Sequence, residues 1–173
     1  MNFEHLAAPV TDFVRANQGW APLVVGLLAF GESLAVVSVF IPATVILVAV
    51  GAMIGAADLA FWPIWLGAVV GGTAGDWVSY EFGHWVGEPA KTRWPLNAQP
   101  GLTARAENFI RRYGLLGVFA GRFFGPLRAL VPLVAGIFGM SRFPFQVANV
   151  TSAIVWATGL LGPGAGLLAW LHR

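Results

Sequence analysis

Glu32, Asp76, Arg122 and Arg128 stand in stretches that are otherwise as apolar as the interior of a membrane. An ionised group in such surroundings has to be paired, wetted or neutral. The stretch Arg122-Phe123-Phe124-Gly125-Pro126-Leu127-Arg128 places its two arginines six positions apart with a proline between them. An unbroken helix would hold them on different faces, and a bend at Pro126 would turn them toward each other. Two guanidiniums converging in a low-dielectric cavity, beside backbone N–H groups freed by the break, suit a phosphate or another oxyanion. The simpler alternative is that one arginine snorkels to the interface and the other pairs with Glu32. Arg122, eight residues after Gly114, is the one placed to snorkel.

Glu32 is the single ionisable group in residues 20–57. A carboxylate there costs about 3 kcal/mol if it faces lipid, so a partner such as Arg122 or Arg128 is expected, and its protonation would depend on whether that pair is made. Two roles stay open: a fixed ion pair holding two segments together, or substrate and proton handling. Farther along, Gly72, Asp76, Tyr80, Gly83 and Gly87 share one quarter of a helical wheel. The glycines admit a close neighbour, and Asp76 would either orient an arginine or backbone break or take part in proton transfer. Asn149, Thr151, Ser152 and Trp156 come from the last apolar run, with Asn149 the expected interhelical hydrogen-bonding partner.

The elements that must position these groups follow from composition. Of 173 residues, 57% are hydrophobic and 10% charged, with a mean hydropathy of +0.72, which marks an integral membrane protein. A net charge of +2 gives no reason to expect nucleic acid, and the absence of cysteine excludes disulfides and thiolate chemistry. The N-terminal residues lack a basic run and a small-residue cleavage site, so the first segment is expected to stay in place. No Gly-x-Ser-x-Gly, His-Glu-x-x-His or phosphate-binding loop occurs, so no enzyme activity is expected. His5 and His172 are terminal and His84 reads as interfacial, so neither a metal site nor a cofactor is expected.

Residues 1–16 read as an interfacial amphipathic helix, 20–56 as a first apolar hairpin broken at Pro42, and 59–88 as a transmembrane helix. Residues 89–113 read as a basic loop and surface helix, 114–140 as a second hairpin with Pro126 and Pro132, and 144–171 as a final transmembrane helix. Pro42 and Pro132 each follow a charged residue, Glu32 and Arg122, by ten positions. The expected fold is therefore an all-α polytopic membrane domain, an inverted repeat of two broken, re-entrant hairpins with transmembrane and surface helices. Lys91, Arg93, Arg105, Arg111, Arg112 and Arg142 then fall on one side, which the positive-inside rule makes cytoplasmic.

Gly31-Glu32-Ser33 with Phe40-Ile41-Pro42, Gly75-Asp76 through Gly83, and Phe119 through Arg128 with Pro132, Ala135-Gly136 and Asn149 together resemble the DedA family of VTT-domain proteins over roughly residues 25–160. The resemblance implies two facing re-entrant hairpins and a multi-pass protein of the bacterial inner membrane. It also implies a flippase or scramblase for lipids, linked to undecaprenyl phosphate and the proton motive force. By motif, Glu32 corresponds to the acidic residue of the first hairpin, and Arg122 and Arg128 to the essential arginine pair. Several members carry a second acidic residue after the hairpin proline; this chain has Ala43-Thr44 there. Coupling to protons through two carboxylates in that hairpin would need Asp76 as the substitute. The expected partners are membrane lipids with an anionic phosphate, and protons; whether the chain works as a homodimer stays open.

Overall fold

The computed structural model describes residues 16–34, 43–56, 59–87, 89, 100–124 and 128–166. Residues 1–15 of the expected interfacial helix 1–16, residues 90–99 of the expected loop, Pro42 and Pro126 therefore lie outside the described residues. Among those described, after a single turn of 3₁₀ helix at Gln18–Trp20, come seven α-helices and no strand. They are α1 (Ala21–Ser33), α2 (Ala43–Ala56), α3 (Phe61–Val86), α4 (Pro100–Tyr113), α5 (Leu115–Gly121), α6 (Leu130–Ile137) and α7 (Arg142–Leu161).

Helix α3 is the spine. Pro22 faces Gly67, Gly26 faces Gly71, and Phe30 faces Gly75, so α1 runs parallel to the first half of α3 in steps of four residues. Four residues is about one helical turn, and glycine at each step lets the two backbones touch. A Cβ on Gly71 would overlap the carbonyl oxygen of Gly26. Farther down α3, Gly83 meets the backbone of Leu133 and Gly136 meets that of Tyr80, which seats α6. Gly51 and Gly55 of α2 lie against Leu160–Leu161 and Gly164 at the end of α7.

The packing partners exchange between the two halves of the chain. Helix α1 packs on α3 as α5 packs on α7, and α2 packs on α7 as α6 packs on α3. Of each pair of shorter helices, the first thus lies on the long helix that follows it and the second on the other long helix.

The expected transmembrane helices 59–88 and 144–171 take the form of α3 and α7. Among the described residues no helix is long and apolar enough to cross a membrane. The reason is visible in what each helix carries inward. Asp76, Ser79, Asn149 and Ser152 lower the hydropathy of α3 and α7, yet all four are buried against other helices. Outward lie Leu27, Trp62, Val70, Trp85 and Leu116, each more than 60% exposed. Polar groups inside and large apolar groups outside invert the pattern of a water-soluble domain, in which charged residues are almost never buried.

Candidate functional site

The polar residues of α3 and α7 lie between two apolar clusters. One gathers α1, α2, the first half of α3 and the region of Trp156; the other gathers Tyr80, Val131, Val134, Phe145 and Ala148. Two ion pairs occupy the belt between them.

The first pair begins where α1 stops. Leu34 turns to an extended conformation directly after Ser33, leaving Glu32 on the last turn of the helix, 8% exposed. Its Oε1 forms an ion pair with Arg128 Nη1 at 2.9 Å and accepts a hydrogen bond from the Thr44 hydroxyl at 2.6 Å, while Oε2 has no hydrogen-bond partner. Thr44, on the first turn of α2, thus supplies the hydrogen bond to Glu32 Oε1.

The second pair joins Arg122, the residue that caps α5, to Asp76 of α3. Arg122 Nη2 also donates to Asn149 Oδ1 at 2.7 Å, and Nε donates to Ser152 Oγ at 2.9 Å. Asn149 is anchored in turn by its Nδ2, which donates to the Thr73 carbonyl at 3.0 Å. With 4% of its surface exposed, Arg122 does not snorkel. Three hydrogen-bonding groups met at two atoms stabilise it where it is, and moving to the interface would abandon them all.

The two arginines do converge. Both guanidiniums lie over the ring of Trp156, Arg128 at 4.1 Å from its centre and Arg122 at 5.9 Å. They are used differently, however. The side-on edge of Arg122, formed by Nε and Nη2, is filled by Ser152, Asp76 and Asn149, and only Nη1 is free. On Arg128 the same edge makes no hydrogen bond: Nε and Nη2 are buried without partners, and Nη1 is in the ion pair. Asp76 Oδ1, Ser33 Oγ and Thr73 Oγ1 are further buried atoms without partners.

Other expected residues fall elsewhere. Tyr80 shares the burial of Asp76, but its hydroxyl donates to the Met140 carbonyl and its ring stacks on Phe145 at 4.1 Å, so it fastens α3 to the α6–α7 turn. Pro132 is buried inside α6. Thr151 points outward and returns its hydroxyl to the Val147 carbonyl. Glu81 pairs with Arg142 on the exposed side of α3, at 2.8 and 3.0 Å. Among the described residues no cluster of histidine and carboxylate side chains is placed to hold a metal.

Sequence reasoning did not assign Trp156 or Ser152 to the arginines. Their spacing carries the signal, because Asn149, Ser152 and Trp156 are three and four residues apart and share one helical face. It also read Thr44 as a missing acid, where the structure has a hydroxyl donor to Glu32.

The family model of the VTT domain matches residues 41–166. The chain belongs to the VTT-domain family, also called DedA. It is a membrane protein, similar to the inner membrane protein YabI of Escherichia coli K12, with 32% identity over 92% of this chain and 63% of YabI. An uncharacterized membrane protein of Mycobacterium bovis is 37% identical over 87% of this chain and 72% of its own length. The inner membrane protein YghB of Salmonella typhimurium is 33% identical over 74% of the chain and 59% of YghB. This VTT-domain chain spans about three-fifths of the length of the first curated relatives it matches. No solved structure matches it.

Proposed function

We propose that this VTT-domain chain carries the phosphate-bearing headgroup of a membrane lipid across the bilayer as a multi-pass protein of the bacterial inner membrane, without enzyme activity. Undecaprenyl phosphate is the lipid, and residues 89–113 face the cytoplasm. The observation that carries this reading is Arg128, 7% exposed, with a buried and unpartnered Nε and Nη2. Buried donors without partners are costly and point to a ligand. Arg128 binds the phosphate, Glu32 serves as its counter-charge and proton switch, and the lipid tail stays in the bilayer. Asp76 holds Arg122 and offers a second carboxylate for protons.

A non-transporting membrane protein with a static charge lock is the second reading, and the way Arg122 is tied to Asp76, Asn149 and Ser152 favours it for that pair. Reconstituted vesicles distinguish the two. Labelled polyprenyl phosphate is added and the headgroup exposed to an impermeant reagent, with and without a pH gradient. Exchange that depends on protein and is lost in Arg128→Ala supports the transporter, and its response to the gradient reports coupling. Equal movement of ordinary phospholipids makes it a general scramblase, ion flux without lipid movement an ion exchanger, and no movement by folded protein a lock.

A further inference from the structure

Away from the buried ion pairs, the positive charge of this chain is gathered in one stretch. Residues 89–113 hold five of its ten Lys and Arg but one of its eight Asp and Glu. Helix α4 closes that stretch, and the fold decides which side of it stays in reach. Ile110 is buried in the second apolar cluster, and Phe109 lies against Gly117 and edge-on to the ring of Phe124. Those two residues seat α4 on the protein. Arg111 is engaged there too: it pairs with Glu107 at 3.2 Å, and its guanidinium lies 5.5 Å from the centre of the Phe138 ring. Arg105 and Arg112 are different. Both are exposed and have no carboxylate partner among the described residues. Seven positions apart, with the exposed Asn108 between them, they share one face of the helix.

That face borders an apolar edge. The Arg112 guanidinium lies over the Tyr113 ring at 5.5 Å, Gly114 turns the chain with a φ of 51°, and Leu115 and Leu116 follow, Leu116 67% exposed. Unpaired cations beside a tyrosine and exposed leucines suit the level of a bilayer at which headgroups give way to acyl chains. In a membrane protein, the occupant that offers negative charge and hydrocarbon side by side is the bilayer itself. We infer that the Arg105–Arg112 face of α4 is a docking surface for anionic phospholipids, which it gathers around the second half of the chain. Helix α4 packs on α5 and α6, so the lipids it collects lie beside those helices. What is recognised is charge. A surface potential acts on any exposed cation, so lysine serves as well as arginine here, unlike at a site that grips oxygens with a guanidinium. The inference does not depend on lipid being moved across the membrane.

Because the chain has no cysteine, Asn108→Cys gives a single attachment point for a fluorophore on this face. The labelled full chain is reconstituted in phosphatidylcholine vesicles containing spin-labelled phosphatidylglycerol or spin-labelled phosphatidylcholine, with both leaflets alike so that orientation does not enter. Quenching measures how strongly each lipid is enriched beside α4, and unchanged quenching by phosphatidylcholine shows that a variant is still seated at the membrane. The expected result is a preference for phosphatidylglycerol that falls about fivefold for each arginine replaced, in Arg105→Gln and Arg112→Gln. Arg105→Lys with Arg112→Lys should keep it. Salt at about 1 M should remove it, since charges are then screened beyond about 3 Å. Equal quenching by the two lipids in the wild type, a preference unchanged in the double glutamine variant, or one that survives high salt overturns the inference. Loss of the preference in the double lysine variant also overturns it, because the guanidinium and not the charge would then be recognised. A fluorophore quenched by neither lipid does the same, placing the face away from the bilayer and leaving a water-borne partner as its occupant.

Discussion

Thr44 donates its hydroxyl at 2.6 Å to the same Glu32 oxygen that forms an ion pair with Arg128 Nη1 at 2.9 Å. A neutral side chain on α2 therefore meets the carboxylate of α1. The hydrogen bond and the ion pair both fall on Oε1, and Oε2 is buried without a hydrogen-bond partner.

Thr44→Val keeps the side chain's shape and removes the donor. The expected loss is about 1 kcal/mol, since Thr44 is partly exposed and a hydrogen bond to a charge is worth about 1.5–3 kcal/mol when fully buried. Thermal unfolding in detergent reads it. A variant that melts with the wild type would show that the bond contributes nothing.

Asp76→Asn strips the counter-charge from Arg122, which stays buried among Asn149 and Ser152. Breaking one side of a buried pair costs about 3–5 kcal/mol. Replacing both partners by apolar groups, Asp76→Leu with Arg122→Met, should recover most of that stability, because no charge is then left uncompensated. Denaturation of the single and double variants provides the comparison, and a double variant no more stable than Asp76→Asn contradicts it.

The charge swap Glu32→Arg with Arg128→Glu separates a lock from a binding site. It restores an ion pair between α1 and the chain segment before α6, so the protein should fold and melt near the wild type. Headgroup movement should fall to the protein-free rate, because a carboxylate now stands where the guanidinium was. Retained movement in the swapped protein favours the lock.

Gly71→Ala places a methyl group into the Gly26 carbonyl, and two rigid backbones must part to admit it. The expected cost is about 1–3 kcal/mol or more. Gly159 is exposed on α7 with nothing near its missing Cβ, so Gly159→Ala should stabilise by about 0.5–1 kcal/mol through helix propensity. Melting curves moving in opposite directions are the result required. A neutral Gly71→Ala would mean that α1 and α3 do not touch through these glycines.

Some of this could be read along the chain and some could not, for a physical reason. That Glu32, Asp76, Arg122 and Arg128 must be sheltered follows from local solvation: each lies in an apolar run, and the penalty for meeting lipid depends on that run alone. The helical character also rests on a local feature, namely apolar periodicity.

Which arginine meets which carboxylate depends on where distant segments come to rest. Arg122 and Asp76 are far apart in sequence, and so are Arg128 and Glu32, so their meeting is set by the glycine contacts of α1 and α6 on α3 and of α2 on α7. Those contacts put Asn149 and Ser152 beside Arg122 and the face of Trp156 beneath Arg128. One guanidinium ends with its side-on edge filled by hydrogen bonds and the other with that edge making none. Two residues of the same type, six positions apart, thereby acquire different chemistry from their neighbours in space.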